Sequence, residues 1–281
     1  MRVDPSPSTL TDPVNFEQEI FQFLQNFHFD GDKPSIDHIK SVSRYFSRLP
    51  YENISKIIKL GNSPGQPAFR LPDELTEDHF AWHLGGTCFS LTYFLSGIYS
   101  LLSYENRPLI CDLNWGQNNH SALVITFKAQ RFLVDPGYMI YTPLPISQQT
   151  VQTRLSTDTG VELRYLVDTD SYALCTYRNG QYTRRYTFID RAIPYLEFAK
   201  YWEASFSLPG MDDLILTKVK GYEMTYIQGD FIKITNLNKI EKLREANRAE
   251  ILIRDQFEIP LEKVEEARHI LQRTRGGKDE N

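Results

Sequence analysis

Apolar residues recur at helical spacing in the first third of the chain, alternate or run continuously through the middle, and return to helical spacing near the end. Ile20, Phe21 and Leu24 share one face of a segment from about Asn15 to Phe27, which predicts a first helix after a leader rich in Pro, Ser and Thr. A second helix is expected after Pro34, with Ser35 placed to cap it and Ile36, Ile39, Val42 and Phe46 at helical spacing. Gly61 to Pro72 holds three prolines and two glycines and reads as a loop, and Pro72 to His83 reads as a further helix. From Cys88 to about Leu102 the helical pattern is apolar on every face, the mark of a buried helix.

Strand patterns then take over: Pro108–Asp112, Ser121–Phe127, Arg131–Asp135, Val161–Val167, Tyr172–Arg178 and Gln181–Phe188. Asn179-Gly180 between the last two is a hairpin signal. A helix over Tyr195–Phe206 follows, then strands near Leu214–Val219, Tyr222–Gln228 and Phe231–Thr235. Two charged amphipathic helices, about Leu237–Gln256 and Leu261–Gln272, come next, and the tail from Gly276 is expected to fray. Helices, then strands, then helices predict an α+β fold, a helical bundle followed by a barrel, over a doubly wound sheet.

The 281 residues can form one large domain or two or three small ones sharing a core. A net charge of −5 gives no basic footprint, so nucleic acid is not an expected partner. No apolar run reaches the roughly 20 residues that span a bilayer, and Met1 to Pro5 lacks the apolar stretch of a secretory signal. Three widely spaced cysteines argue against a disulfide framework and against a zinc site. The expectation is a cytoplasmic protein that interacts with neither membrane nor nucleic acid.

Three residues stand out chemically. Cys88 follows Gly85-Gly86-Thr87 and begins the buried helix, where unpaired N–H groups and the helix dipole favour a thiolate. His120 stands at the mouth of the apolar strand Ser121–Phe127, and Asp135 closes the run Phe132-Leu133-Val134 ahead of Pro136-Gly137. If these strands form a hairpin, a tight turn between Phe127 and Lys128 sets Asp135 opposite His120. A loop of residues 128 to 130 sets it opposite Leu123 instead, within about 10 Å. A thiol nucleophile needs such a base, and the base needs a carboxylate to orient it. Each residue also has a plainer reading: Cys88 as a small buried hydrophobe, Asp135 as a turn former. His28, His38, His79, His83 and His269 read as structural, and Cys111 and Cys175 as inert core thiols.

Leu49-Pro50-Tyr51-Glu52-Asn53-Ile54, Gly85-Gly86-Thr87-Cys88-Phe89, His120-Ser121-Ala122-Leu123-Val124 and Val134-Asp135-Pro136-Gly137-Tyr138 together resemble, in order and spacing, motifs of the arylamine N-acetyltransferases. Tyr195 to Trp202 and Ser205 to Pro209 extend the likeness, which covers about residues 15 to 270. The resemblance implies a helical region (1–105) carrying the nucleophile, a β-barrel region (106–208) carrying histidine and aspartate, and an α/β lid (209–281), with a papain-like catalytic core. It implies Cys88, His120 and Asp135 as catalytic triad and Tyr138, Gly137 and Phe89 as substrate contacts. It also implies no bound cofactor or metal, with acetyl-coenzyme A as co-substrate and an arylamine, hydrazine or N-hydroxyarylamine as acceptor. The chain departs from the family where Leu84 replaces an arginine, Asn26 replaces a second, and Ser90 and Thr92 follow the nucleophile. Those arginines partner the glutamate matching Glu52, so Arg44 or Arg48 must compensate, or Glu52 must be exposed. The alternatives to acetyl transfer are an amide synthase using a carrier-bound acyl chain, a transglutaminase-like or papain-like hydrolase, and a scaffold that has lost its chemistry.

Overall fold

The computed structural model describes residues 10–25, 33–63, 68–154, 159–208 and 211–276. The expectations placed on residues 1–9, Asn26, Phe27, His28, Pro209 and the tail from residue 277 lie outside the described residues. A short 3-10 turn leads into α1 (Glu17–Leu24), followed by α2 (Ile36–Phe46), β1 (Tyr51–Glu52), α3 (Ile54–Asn62), α4 (Pro72–Trp82) and α5 (Cys88–Leu101). Ser35 caps α2, its Oγ accepting from the His38 N–H at 3.0 Å. The unforeseen α3 begins directly after the two-residue strand β1, too short a strand to leave a pattern of its own.

Eight antiparallel strands follow: β2 (Glu105–Leu113), β3 (Gly116–Phe127), β4 (Gln130–Asp135), β5 (Ile140–Pro145), β6 (Val151–Arg154), β7 (Thr159–Leu166), β8 (Ser171–Arg178) and β9 (Gln181–Phe188). Their order is β5-β4-β3-β2-β9-β8-β7-β6. The two end strands lie side by side, so the sheet curls into a nearly closed barrel. Leu109, Val124, Leu133, Leu163, Leu174 and Tyr186 are among the residues that fill it. One outer face of β3 and β4 is covered by α1, α2 and α5 through Phe23, Phe46, Phe94, Leu123 and Ile125.

Two hairpins set the geometry of the barrel. Asn179 and Gly180 both have positive φ, and Arg178 pairs with Gln181, as the Asn-Gly signal predicts. The turn between β3 and β4 is Lys128-Ala129, also at positive φ (48° and 61°), with Phe127 paired to Gln130. This register is neither of the two expected: it sets Asp135 one pair beyond Leu123–Val134, two residues from His120 along β3. Period-two alternation then keeps His120 and Asp135 on one face as diagonal neighbours, within reach of each other's side chains.

After α6 (Tyr195–Ala204) come β10 (Ile215–Lys220), β11 (Glu223–Gln228), β12 (Phe231–Thr235), β13 (Ile240–Arg244), α7 (Ala246–Leu252) and α8 (Leu261–Gly276). The helix expected over Leu237–Gln256 is replaced by β13 and the shorter α7. Asn236 Oδ1 accepts from the N–H groups of Asn238 and Lys239, turning the chain back so that β13 pairs with β12. Ile240 and Leu243, three apart, fit a helix as well as they fit this charged edge strand. None of the helices among the described residues is long and apolar enough to cross a membrane.

The second sheet runs β1-β10-β11-β12-β13, so its edge comes from the start of the chain. Pro50 to Asn53 is thereby sandwiched between two distant segments. On one side the Glu52 N–H donates to Gly86 O (3.0 Å) and the Gly86 N–H to Pro50 O (3.4 Å). On the other, Asn53 accepts from the Ile215 N–H (2.8 Å) and donates to Asp213 O (2.7 Å). Glu52 is fully buried, and its carboxylate accepts from the Ser55 N–H (2.9 Å), the Ser55 hydroxyl (2.6 Å) and the Gly85 N–H (3.2 Å). Burial pushes its pKa up, and the Ser55 hydroxyl and then the Arg70 charge pull against that shift. Arg44 and Arg48 are both exposed, Arg48 lying over the Tyr45 ring, so neither compensates Glu52; Arg70, whose ion pair is with Asp78 (2.5 Å), adds only a secondary charge. Leu84, where the family has arginine, is buried among Ile54, Ile57 and the apolar residues of the second sheet.

Gly85 is the tightest point of this arrangement, since a Cβ there would lie 2.0 Å from the backbone oxygen of Pro50. Gly85→Ala is expected to cost about 1–3 kcal/mol or more by forcing two backbones apart, measured as a drop in the denaturant midpoint with an unchanged m-value.

Candidate active site

The three residues singled out by their local setting converge at the floor of one cleft. Cys88 is the first residue of α5, His120 lies on β3 and Asp135 ends β4; they are 8%, 4% and 0% exposed. Asp135 Oδ2 lies 2.9 Å from His120 Nε2, and Oδ1 accepts from the Tyr138 N–H at 2.9 Å. With Nε2 taken by Asp135, Nδ1 is the imidazole nitrogen left to face the Cys88 thiol, whose acidity depends most on His120. The rings of Tyr138 and Tyr186 wall the imidazole, each 5.0 Å from it between centroids.

Gly137 explains how closely these groups meet. A Cβ at that position would lie 2.8 Å from Cys88 Cβ and 2.8 Å from His120 Cε1. Thiol and imidazole therefore meet over a space too small for a methyl group. Gly137 and Tyr138 line the cleft. Phe89 also borders it, but its ring is fully buried against Phe198, 5.4 Å away.

Burial alone would push the Cys88 thiol up, yet hydrogen bonding to His120, the His120 charge and then Lys56 hold it below the usual thiol range. Burial would likewise push His120 down, but Asp135 and the thiolate raise it to about 10. The two shifts describe a thiolate facing an imidazolium. Cys111 and Cys175 lack such partners, and burial pushes both thiols up. Of the three free cysteines, Cys88 is the acidic one.

Two residues here escaped the sequence reading. Lys56 on α3 is buried, lines the cleft, and donates to Ser205 O (3.1 Å) and Ser205 Oγ (3.0 Å). Burial lowers its pKa to about 7. Asn119 is held by the Leu113 N–H on its Oδ1 (2.9 Å), which leaves its buried Nδ2, at the cleft wall, without a hydrogen-bond partner. A lysine in a short helix and an asparagine before a strand are commonplace surface patterns, so only the fold reveals their place. Away from the cleft, His83 ends α4 in a left-handed conformation, its N–H on His79 O, and His38 Nδ1 meets the Tyr104 hydroxyl. Ser90 Oγ donates to Thr87 O, and Thr92 Oγ1 to Ser121 O, tying α5 to β3 beside His120. No group of three metal-ligating side chains occurs among the described residues.

The cleft has a volume of about 650 Å³, in the range of small-molecule sites. Its walls come from α3, α5, the barrel strands and the second sheet. Because the Cys88 pKa is lowered and His120 stays protonated to about 10, alkylation of Cys88 by iodoacetamide is expected to stay fast well below the ordinary thiol pKa. Lys56→Met removes one cation and shifts the alkylation midpoint upward; His120→Gln shifts it further. A pH–rate profile with its midpoint at the free-cysteine value would contradict the ion pair.

A family model described as N-acetyltransferase matches residues 36–266. A search of curated protein sequences finds no match. Among solved structures, the arylamine N-acetyltransferase of Mycobacterium abscessus superposes with a TM-score of 0.75 at 15% identity, over 92% of this chain and 96% of that one. The Mycobacterium marinum arylamine N-acetyltransferase in complex with CoA gives 0.72 at 18%, over 90% and 96%. The Salmonella typhimurium enzyme gives 0.69 at 13%, over 89% and 92%. These neighbours share the papain-like fold, and with the family match over most of its length the chain belongs to the arylamine N-acetyltransferase family, as a divergent member.

Proposed function

We propose that the protein transfers an acetyl group from acetyl-coenzyme A, through a thioester on Cys88, to an arylamine, hydrazine or N-hydroxyarylamine. The observation that carries this reading is the meeting of Cys88, His120 and Asp135 at the floor of a cleft wide enough for two reactants in turn. The solved complex of a family member with CoA supports the donor.

In the first half-reaction the Cys88 thiolate attacks the acyl carbon, and the negative charge that develops on its oxygen faces the unpaired N–H groups at the start of α5, Cys88 among them. The bond to the donor sulfur breaks, and His120 gives that sulfur its proton. Exchange between two thioesters is nearly energy-neutral, so the acetyl group stays activated on the enzyme. In the second half-reaction the acceptor nitrogen attacks, the bond to Cys88 breaks, and the proton leaving nitrogen passes to His120, restoring the ion pair. Asp135 holds the imidazole by Nε2 throughout, presenting Nδ1 to the sulfur. Residues 1–105 supply the nucleophile, 106–208 the base and carboxylate, and 209–281 a lid over the cleft that keeps water from the thioester.

Mixing with acetyl-coenzyme A is expected to leave one acetyl group on Cys88 by intact and peptide mass spectrometry, and none on Cys88→Ser. Varying donor and acceptor together should give the parallel double-reciprocal lines of a ping-pong reaction. Asp135→Asn is expected to lower kcat/KM by about 10³-fold or more. A reactive Cys88 that takes no acyl group from a panel of acyl thioesters would overturn the reading.

A further inference from the structure

Of the lysines and arginines that line the cleft, Arg185, Lys233 and Lys242 are partly or fully exposed, so solvent answers their charge. Lys56 is only 4% exposed. Its Nζ donates to Ser205 O (3.1 Å) and Ser205 Oγ (3.0 Å) and stands 4.5 Å from the centre of the Phe206 ring. All three contacts are neutral, and no carboxylate lines the cleft among the described residues. An ammonium group has three N–H donors, so one remains beyond the two bonds to Ser205. A buried cation in neutral surroundings is costly unless an anion faces it. In the resting protein that anion is the Cys88 thiolate. Burial lowers the Lys56 pKa to about 7, and the thiolate charge pulls against that shift.

Acylation of Cys88 removes this anion. Once the sulfur is a thioester it carries no charge, and the His120 proton has gone to the donor sulfur. The carboxylate of Asp135 remains, but it is bonded to the other nitrogen of the imidazole. With an acetyl group in place, Lys56 is a buried cation facing a neutral acyl chain. A carboxylate carried at the far end of the acyl chain restores the lost charge, on the same side of the imidazole and tethered to the sulfur that lost it. A second donor lines the cleft: Asn119 is 5% exposed, and its buried Nδ2 has no hydrogen-bond partner. Two carboxylate oxygens can accept from more than one such donor. An acid on the acceptor answers Lys56 only later, after the acyl-enzyme has carried the unpaired charge for its whole lifetime.

We propose that Lys56 forms a carboxylate subsite for the acyl group, so that besides acetyl the protein takes short dicarboxylic acyl groups from their coenzyme A monothioesters, and favours them over neutral acyl groups of similar size. This rests on the reading of Cys88 as the acyl carrier. The Cys88 thiolate attacks the thioester carbon, the bond to the coenzyme A sulfur breaks, and that sulfur takes the His120 proton. The distal carboxylate stays ionised beside Lys56. The number of charges next to the ammonium group is thereby the same before and after acylation, which a neutral acyl group cannot achieve.

The test measures acylation of Cys88 by malonyl- and succinyl-coenzyme A against isovaleryl- and butyryl-coenzyme A, neutral groups of similar size. Rate and adduct mass are read without acceptor, in parent, Lys56→Met and Lys56→Gln proteins. The parent is expected to prefer the acidic member of each pair by about tenfold or more, and both variants to lose that preference, since a charge-assisted hydrogen bond is lost from one donor only. Losing Lys56 also weakens the thiolate toward every donor, so the ratio within a pair is the readout. Asn119→Asp keeps the acceptor for the Leu113 N–H and sets a negative charge at the cleft wall. It should cut the ratio at least as far, and it decides the question if the Lys56 variants do not fold. No preference in the parent, or a preference that survives within about twofold in the variants, would overturn the proposal. So would a Lys56→Met protein altered only in its choice between acceptors, an aminobenzoate against aniline. Acylation by acetyl-coenzyme A but by neither acidic donor sinks the subsite and leaves acetyl transfer standing; acylation by no donor at all sinks the acyl-carrier reading itself.

Discussion

A sulfur more than nine-tenths buried can be an anion only if a cation faces it, because burial by itself favours the neutral thiol. Here that cation is the His120 imidazolium, which is itself sustained in a buried place by the fully enclosed carboxylate of Asp135. The three charges are therefore interdependent, and the remainder of the site serves to hold them together. The Tyr138 N–H fixes Asp135, and Thr92 on α5 bonds to Ser121 O beside His120, holding the helix of the nucleophile to the strand of the base. The Lys128-Ala129 turn, about 20 Å from Asp135 at about 3.3 Å per strand residue, sets the register that keeps imidazole and carboxylate on one face.

The nucleophile has a second support in Glu52. It is a buried carboxyl group whose cost is offset chiefly by three hydrogen-bond donors, the N–H and hydroxyl of Ser55 and the Gly85 N–H. One of those donors is the Gly85 N–H, three residues before Cys88. The site where Leu84 stands is consequently free to be apolar, and it joins the core of the second sheet. The divergence is thus a change in how a carboxylate is compensated, with the backbone leading into α5 still pinned by it.

Much of this was legible in the sequence. The all-apolar pattern from Cys88 to Leu102, the Asn179-Gly180 hairpin and the settings of Cys88, His120 and Asp135 each follow from local rules, and the structure brings those three side chains together. What was not legible depended on partners distant in sequence. The β3–β4 register rests on Lys128 and Ala129 at positive φ, residues that carry no turn signal. β13 resembles a helix because three-residue spacing of Ile240 and Leu243 suits both, and pairing with β12 decides. β1 exists only because β10 lies beside it. Lys56 and Arg185 read as ordinary surface charges until two sheets bring them to one cleft.

The Pro50–Asn53 segment has a consequence for how the chain matures. Tyr51 pairs with Thr217, and Asn53 is bonded to Ile215, 162 residues later. While the polypeptide is being made on the ribosome, the helices and barrel emerge first, and this segment waits for a partner that is translated long afterwards. The bed on which the Gly85-Gly86 backbone rests is complete only when that late strand arrives. The backbone leading into α5 is therefore braced on both sides only after residues 213–217 have been made.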